Sequence, residues 1–427
     1  MGMNGRASFQ SSIRAPVVAT LTLGCKLNQA ETQQAARELQ QHGCVTVDRP
    51  TRADAYLINT CTITHVADRK ARRLIRLAQR LSPEAPVVVT GCYAERDAAE
   101  IASLARVEVV PNGRKQDAAA AVLSAIDGRK PISNETLASS NRTRAFIKIQ
   151  EGCDDVCAFC IVPYVRGRER AIPIDEIVAA AQERVEEGVQ EIVLTGTQPG
   201  AYGRDRSDGA SAATLIEALL ERTDAARIHY SSIQPQDITP QLLACWDDAR
   251  MCRHFHVALQ SGSDQVLSRM RRRYSASEFR EAVDSIRAAV PGASITTDII
   301  AGFPGERDAD HNDSVQMMED VQFTDVHVFP YSQRPNTSAS LLEDDVVPEL
   351  KRERARELRD LGARQRRDAL DARVGALETV LFEHSDSGLS DTYLPVRVDT
   401  NADLTNQLRS VRIVSIAAGV LSGELVG

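Results

Sequence analysis

The feature that most constrains the fold of this chain is an alternation of short apolar runs with helical stretches. In the first part of the chain the apolar runs are Val17–Leu23, Ala55–Thr60 and Val87–Thr90. Helices are predicted from about Ala30 to Gln41 and over Asp68–Gln79. Buried strands separated by helices are typical of a parallel sheet, so a doubly wound α/β domain is predicted here.

A second alternation follows a polar stretch, residues 131–142, which is predicted to be a linker. Its strands are predicted at Phe146–Ile149, Glu191–Thr195, Arg227–Ser232, His254–Leu259, Ser294–Ala301 and Asp325–Pro330. Six strand–helix units are fewer than the eight of a closed barrel. A partial (β/α)6 barrel is therefore predicted, with its chemistry at the carboxyl ends of its strands.

The last part of the chain changes character. Pro348–Asp371 is predicted to be a long charged helix without an apolar stripe, and the short alternating runs from Val374 to Gly427 predict a small antiparallel β-barrel. The predicted organisation thus has four parts: an N-terminal α/β domain (1–132), the partial barrel (142–346), a connecting helix (347–370) and the C-terminal barrel (371–427).

Composition narrows the function. The formal net charge of -8 and the aromatic content of 4% argue against a surface that binds nucleic acid everywhere, so any RNA site must be a local basic patch. No run approaches the roughly 18–20 apolar residues that span a bilayer, and the N-terminus lacks the apolar core of a signal peptide. We expect a soluble, cytoplasmic protein, in which nine cysteines indicate metal binding or catalysis before disulfides.

Three of these cysteines, Cys153, Cys157 and Cys160, form a C-x3-C-x2-C loop directly after the first barrel strand. Three thiolates can hold three irons of a 4Fe–4S cluster and leave the fourth iron open. An open iron can bind the methionine end of S-adenosylmethionine, whose reductive cleavage gives a 5′-deoxyadenosyl radical. A zinc knuckle or buried core thiols are the alternatives, but zinc usually takes four ligands and no fourth Cys or His lies nearby.

A second set, Cys25, Cys61 and Cys92, is dispersed along the N-terminal domain, and each member lies at or just beyond the end of a predicted strand. The carboxyl ends of parallel strands share one edge, so these thiols are candidates for a second cluster, with Gly24 and Gly91 allowing close approach of the backbone. Three separate buried cysteines are an equal alternative on spacing alone. Cys44, Cys245 and Cys252 are predicted to be structural.

Both cysteine sets and their flanking residues resemble the methylthiotransferase family of radical S-adenosylmethionine enzymes over nearly the whole chain. The first motif resembles the MtaB-type branch, the tRNA N6-threonylcarbamoyladenosine methylthiotransferases, and the C-terminal barrel is similar to a TRAM domain. The matching motifs are TLGCKLNQAET (Thr22–Thr32), EGCDDVCAFCIVPYVRGRER (Glu151–Arg170), EIVLTGTQPGAYG (Glu191–Gly203), LQSGSD (Leu259–Asp264), RMRRRY (Arg269–Tyr274), TTDIIAGFPGE (Thr296–Glu306) and FPYSQRPNT (Phe329–Thr337).

The resemblance implies two 4Fe–4S clusters, one that generates the radical and one on Cys25, Cys61 and Cys92 that carries the sulfur. It also implies two S-adenosylmethionine molecules per turnover, a tRNA substrate, an electron donor and a sulfur source. Three residues depart from the family pattern: Gln234 stands where Glu is usual, Ala171 where Ser is usual and Asn336 where Gly is usual. Asn tolerates the left-handed backbone conformation, so the last change is expected to be benign.

Strand-end positions and the family match together nominate cofactor-binding residues, although each alone is more often a turn or cap residue. They are Gly196, Gln198, Gln260, Ser261, Asp298 and Gly302, the last of which is expected to let the backbone approach the adenine. The carboxylate of a threonylcarbamoyl substrate requires a cation, because an unpaired buried carboxylate is costly. Arg334 is the candidate, with Arg166 and Arg168 as alternatives, and Arg271, Arg272 and Arg273 are candidates for RNA phosphates.

The predicted reaction is the thiomethylation of carbon 2 of N6-threonylcarbamoyladenosine at tRNA position 37. Alternatives are an N6-isopentenyladenosine tRNA or a ribosomal protein aspartate as the substrate. A non-catalytic iron–sulfur RNA-binding protein is a different class, against which the polar and glycine motifs at the strand ends argue, because a simple carrier needs no cofactor pocket.

Overall fold

The computed structural model describes residues 14–104, 106–128 and 143–426, which belong to two compact units. The first unit draws on Met1–Leu23, Thr32–Cys61 and Ala67–Ser140, and the second on Gly24–Glu31, Thr62–Val66 and Asn141–Gly427. The predicted linker, residues 131–142, lies outside the described residues. The division of the chain into four parts stays a prediction.

The first unit contains a five-stranded parallel sheet. Its strands are β1 (Val17–Thr22), β2 (Val45–Val47), β3 (Ala55–Thr60), β4 (Val87–Gly91) and β5 (Val107–Val109), in the order β2-β1-β3-β4-β5. The associated helices are α1 (Lys26–Gln41), α2 (His65–Leu81), α3 (Cys92–Arg96), α4 (Ala98–Ser103) and α5 (Ala118–Ile126), of which α1 and α2 begin in residues of the second unit. Alternate residues of β1 enter two separate apolar cores, so both faces of the sheet are covered and the doubly wound fold is confirmed.

The second unit contains six parallel strands in barrel order. They are β6 (Arg144–Glu151), β8 (Glu191–Gly196), β9 (Arg227–Tyr230), β10 (His254–His256), β11 (Ser294–Ala301) and β12 (Asp325–Pro330), with the two-residue β7 (Arg170–Ala171) antiparallel to β6. Two isolated parallel bridges, Ile228 to Met251 and Ile233 to Val257, join the β6-β8-β9 half to the β10-β11-β12 half. The partial barrel is confirmed.

Eight helices accompany these strands among the described residues. They are α6 (Val162–Arg166), α7 (Ile174–Glu186), α8 (Ala212–Arg222), α9 (Pro240–Ala244), α10 (Asp264–Arg269), α11 (Ala276–Ala289), α12 (Asp308–Val321) and α13 (Pro348–Asp371). The expectation that α13 lacks an apolar stripe is wrong, because Ala355, Leu358 and Leu361 join the main core of this unit. The stripe is narrow and is flanked by buried charged residues, which hid it in the sequence.

The C-terminal strands close into a five-stranded barrel, as predicted. They are β13 (Leu377–Phe382), β14 (Ser387–Ser390), β15 (Pro395–Val398), β16 (Leu408–Ala417) and β17 (Val420–Leu425). One pair, β15 with β17, is parallel, so the barrel is not wholly antiparallel. No helix among the described residues has both the length and the apolar character needed to cross a membrane.

Candidate cluster and cofactor site

The loop between β6 and α6 carries Cys153, Cys157 and Cys160, all of them partly exposed. The Cys153 N–H donates to the Gly167 carbonyl at 3.1 Å, which closes the loop against the end of α6. Gly152 has a φ of +78°, and a Cβ at this position would lie 1.9 Å from the Arg168 carbonyl oxygen. Only glycine fits there, because any side chain would push the loop away from the strand end.

The thiols of this loop have polar partners. The Cys153 thiol donates to Gln198 Oε1 at 3.0 Å, and burial raises the pKa of Cys153 to about 12. Arg272 Nη1 donates to Cys157 Sγ at 3.2 Å. Three sulfur donors on one loop, with a guanidinium to offset thiolate charge, fit a cluster that has three protein ligands. Without metal, burial thus favours the protonated form of Cys153, so formation of its thiolate depends on bound metal.

Gln150, which the sequence reasoning missed, ties this loop to the end of β8. Its Nε2 donates to the Gly152 carbonyl at 2.8 Å, and its Oε1 accepts from the Gln198 N–H at 3.0 Å. A Cβ on Gly196 would lie 2.9 Å from the Gln150 carbonyl oxygen, so glycine is required for this close approach. The sequence signal for Gln150 was a polar residue near the carboxyl end of a strand, three residues before Cys153.

A cavity of about 230 Å³ lies at the carboxyl ends of β11 and β12. Two predicted cofactor residues, Gln260 and Asp298, line it together with Cys160. Gln260 has a φ of +69°, a left-handed conformation that is uncommon for a residue with a side chain, and its N–H donates to the Asp298 carbonyl at 2.8 Å. The remaining lining residues are Ile63, Thr64, Phe159, Ile161, Ile300, Phe329, Pro330, Tyr331 and Ser332.

Two other predicted cofactor residues lie elsewhere. Ser261 is buried, and its hydroxyl accepts from the Ser263 N–H at 3.2 Å. Gly302 has a φ of +74°, but the space beside its Cα is filled by the side chain of Lys351, and its N–H donates to Glu306 Oε1. The glycine therefore allows the close packing of α13, and the expectation that the backbone here approaches the adenine stays a prediction.

Of the three arginines predicted to bind the substrate carboxylate, two are buried and form hydrogen bonds within the protein. Arg334 is 1% exposed and donates to Thr62 Oγ1 at 2.9 Å, so the expectation that it meets the substrate is corrected. Arg166 is also buried and bonds Glu31 and Glu151. The Arg168 side chain is 83% exposed beside Asp154, and its role stays a prediction.

The basic run after α10 divides into residues with different surroundings. Arg272 bonds Cys157, Gln234 Oε1 and the Tyr274 hydroxyl, so its guanidinium supports the cysteine loop, which corrects its assignment to RNA phosphates. Arg271 is exposed, and Arg273 is 57% exposed while pairing with Asp155 at 3.0 Å. These two arginines stay candidates for phosphate contact.

The departures from the family pattern have local explanations. Gln234 links two charged groups, since its Nε2 donates to Asp155 Oδ2 at 3.2 Å while its Oε1 accepts from Arg272. A neutral amide can donate and accept at once, which an ionised carboxylate cannot. Asn336 has a φ of +66°, the left-handed conformation that was expected for it. The Ala171 N–H donates to Asp205 at 2.9 Å, and nothing in the structure explains the missing hydroxyl.

In the first unit, Cys61 and Cys92 directly follow β3 and β4. These strands are parallel neighbours in which Thr60 pairs with Gly91, so both thiols leave the same edge of the sheet at adjacent positions. Both cysteines are buried, whereas Cys25, three residues beyond β1 in the chain, is exposed. Cys44, Cys245 and Cys252 are buried and free, in agreement with a structural role.

Comparisons with known proteins identify the family of the chain. Residues 17–111 match the protein family described as uncharacterized protein family UPF0004, and residues 147–318 match the radical SAM superfamily. Threonylcarbamoyladenosine tRNA methylthiotransferase MtaB of Bacillus subtilis (strain 168) is 34% identical, with 96% of each chain covered. tRNA-2-methylthio-N(6)-dimethylallyladenosine synthase of Methylobacillus flagellatus is 33% identical over 95% of this chain and 98% of its own.

Among solved structures, the radical S-adenosylmethionine methyltransferase TsrM from Kitasatospora setae has a similar fold. Its TM-score is 0.55 at 14% identity, with 76% of this chain and 77% of TsrM covered. A partial barrel with three thiols at its carboxyl end defines a radical S-adenosylmethionine enzyme, which requires a 4Fe–4S cluster and S-adenosylmethionine. The chain belongs to the MtaB-type methylthiotransferase family.

Proposed function

We propose that this enzyme inserts a methylthio group at carbon 2 of N6-threonylcarbamoyladenosine at position 37 of tRNA, a reaction of the cytoplasm. Relatives named for threonylcarbamoyladenosine and for dimethylallyladenosine are almost equally similar to the chain, so identity alone does not separate these substrates. The cavity supplies the observation that carries the proposal.

The wall of the cavity is polar and ionisable on one side. Asp298, Gln260 and Ser332 line this side, and His256 and His327 both bond Asp298. The apolar part of the lining includes Phe159, Ile161 and Ile300. That part suits either substrate, so only the polar side distinguishes them: an isopentenyl group would leave the buried polar groups of this side without partners, which is costly. A threonylcarbamoyl group carries a carboxylate and a hydroxyl, which match such a wall.

The residues divide the work. Cys153, Cys157 and Cys160 would hold one 4Fe–4S cluster, and Cys25, Cys61 and Cys92 would hold a second. When bound, one S-adenosylmethionine would supply the methyl group, a second, reduced by an electron through the first cluster, would supply the radical that removes the hydrogen of carbon 2, and the second cluster would supply the sulfur that replaces that hydrogen. Gln150 and Arg272 position the first cysteine loop, and exposed Arg271 and Arg273 are available to tRNA phosphates.

The test is an anaerobic assay of the reconstituted enzyme on two tRNAs, one with N6-threonylcarbamoyladenosine and one with N6-isopentenyladenosine. Mass spectrometry of the digested nucleosides measures a methylthio product. We expect the product only from the first tRNA, together with 5′-deoxyadenosine. Product from the second tRNA alone would assign the isopentenyl substrate instead, and a lack of product from both tRNAs would contradict both tRNA assignments.

A further inference from the structure

A continuous chain of hydrogen-bonded side chains runs through the interior of the partial barrel and ends at the cavity. His229 Nε2 lies 2.9 Å from His254 Nδ1, and His254 Nε2 lies 3.2 Å from Thr296 Oγ1. Thr296 Oγ1 is 3.0 Å from His256 Nδ1. His256 Nε2 is 3.3 Å from Asp298 Oδ2, so the three strands β9, β10 and β11 contribute to the chain.

The direction of these bonds follows from their two ends. At the cavity, Asp298 accepts: burial opposes its ionisation, but hydrogen bonds from His256 and His327 hold the pKa of Asp298 well below its usual range. At the far end, buried His229 Nδ1 has no hydrogen-bond partner in the part of the chain that the structure describes. An unpaired acceptor is less costly than an unpaired N–H, so each donor points toward Asp298.

Asp298 accepts a second hydrogen bond, from His327. His327 Nδ1 lies 3.2 Å from Asp298 Oδ1, and the hydrogen bond to that carboxylate raises the pKa of His327 above its ordinary value. Since Nδ1 carries the proton that Asp298 accepts, Nε2 lies on the opposite side of the ring. No described residue bonds His327 Nε2, and the side chain is 57% exposed.

His327 lies beside the cavity. It is on β12, two residues before Phe329, so both side chains lie on the same face of the strand, and Phe329 lines the cavity. Phe329 is 43% exposed, an aromatic surface on which a base can stack. Arg334 and Arg166 are buried in bonds to other residues, and the exposed Arg168 pairs with Asp154 of the cysteine loop. This leaves His327 as the side chain of β12 that can supply a cation beside Phe329.

We propose that His327, oriented by Asp298, is the specificity residue that donates from Nε2 to the carboxylate of the threonylcarbamoyl group. This inference rests on the proposed function, since it concerns the same substrate. The chain of residues from His229 to His256 positions Asp298, which in turn positions the imidazolium. Hydrogen bonds between charged groups are stronger than neutral ones, so the carboxylate should favour binding by about tenfold or more.

The interaction should depend on pH. The groups that act on His327 are Asp298 on β11, Asp325 on its own strand, Lys26 from α1 and the stacked ring of His256. Because the carboxylates raise the pKa of His327, it stays cationic somewhat above its ordinary range. The preference for a carboxylate is therefore present at lower pH and is lost as the pH rises through the pKa of His327 in the folded protein.

The experiment measures binding of anticodon stem-loops that carry N6-threonylcarbamoyladenosine as the free acid or as its methyl ester. The wild-type holoenzyme should bind the acid about tenfold or more tightly than the ester. H327A and H327Q should bind both with the affinity that the wild type has for the ester. The matched control is H384A, which removes an exposed histidine of the C-terminal barrel and should keep the wild-type preference. Iron content and thermal midpoint confirm that each variant is folded.

The outcomes separate this inference from the proposed function. Equal wild-type binding of acid and ester, or a preference for the acid that survives in both His327 variants, would overturn the role of His327 even if the enzyme thiomethylates the threonylcarbamoyl substrate. His256, Asp298 and His327 also offer three ligand atoms within 4.8 Å of one another. A preference that requires added Zn²⁺ would equally overturn the inference, since a metal would then bind the carboxylate.

Discussion

The cysteine loop after β6 and the strand ends of the first unit differ in what fixes their thiols. Cys153, Cys157 and Cys160 lie within one short loop, which local hydrogen bonds and Gln150 hold in place. Cys61 and Cys92 are 31 positions apart in the chain, and the register of two parallel strands brings them to one edge. Spacing alone therefore indicates the first set, while the second requires knowledge of the sheet.

In both regions a glycine with positive φ directly precedes a cysteine. Gly152 precedes Cys153 and Gly91 precedes Cys92, both with positive φ. At each glycine a Cβ would collide with a backbone carbonyl, of Arg168 in the first case and of Thr60 in the second. The contact with Thr60 gives a reason for glycine at position 91 that does not depend on a cluster, because the glycine lets the chain turn out of β4 against the neighbouring strand.

The largest effect is expected from changing Cys153, Cys157 and Cys160 together to Ala. The variant should lose all formation of 5′-deoxyadenosine and about half of the iron, because these thiols are the ligands of one of two clusters. Iron analysis after anaerobic reconstitution and mass spectrometry of the cleavage product measure both. C245A, which removes a buried structural thiol, is the control and should keep both. Cleavage activity in the triple variant would contradict the assignment.

Changing Cys25, Cys61 and Cys92 to Ala should also remove about half of the iron, yet leave cleavage of S-adenosylmethionine measurable. Thiomethylation should be lost, because the ligands of the cluster that carries the inserted sulfur are gone. The first cysteine loop is intact, so the radical can still form. The same iron and nucleoside measurements separate the two triple variants. An unchanged iron content would show that these three residues do not hold a cluster, and the contrast between two cluster sites would disappear.

The sequence was sufficient for whatever depends on local pattern. Apolar runs separated by helices predicted the doubly wound sheet and the six-stranded partial barrel, and the alternation after residue 374 predicted the C-terminal barrel. The spacing of Cys153, Cys157 and Cys160 predicted one site directly. Gln260 and Asp298 were found because both follow or end a strand, and such residues converge at the carboxyl edge of a barrel.

Side-chain direction and distant partners were beyond the sequence. Arg334 and Arg272 have the same charge as Arg273, but only the three-dimensional packing shows that one bonds Thr62 and another bonds Cys157. Gln150 and His327 belong to no motif that names them, since their roles depend on residues 48 and 29 positions away. A motif thus locates the strand end, whereas the fold decides which side chain there is available.

Arg272 and Arg273 are adjacent in the chain and provide a sharper test of the first cysteine set. R272Q should lower the yield of cleavage product several-fold, because the guanidinium that donates to Cys157 is lost, and R272K should restore part of it. R273Q should leave cleavage unchanged and weaken tRNA binding with a smaller salt dependence, since its side chain is exposed. Equal effects of the two variants on cleavage would contradict the division between them.

The smallest effect is expected at Gly91 and concerns stability. In G91A the new Cβ would lie 2.3 Å from the Thr60 carbonyl oxygen in a backbone with φ of +97°, so both a contact and a conformation are unfavourable. G43A is the matched control, because Gly43 has a φ of +82° but no atom within 4 Å of the added Cβ. The control isolates the conformational cost, about 1 kcal/mol. Hydrogen exchange of the β3 and β4 peptides measures the free energy of local opening. We expect this free energy to be lower in G91A than in G43A by about 1–3 kcal/mol.

Formation of 5′-deoxyadenosine should stay at the wild-type level in both variants, because the first cysteine loop belongs to the other unit. If G91A and G43A exchange alike, the contact with Thr60 is not what requires glycine before Cys92, and the parallel with Gly152 fails.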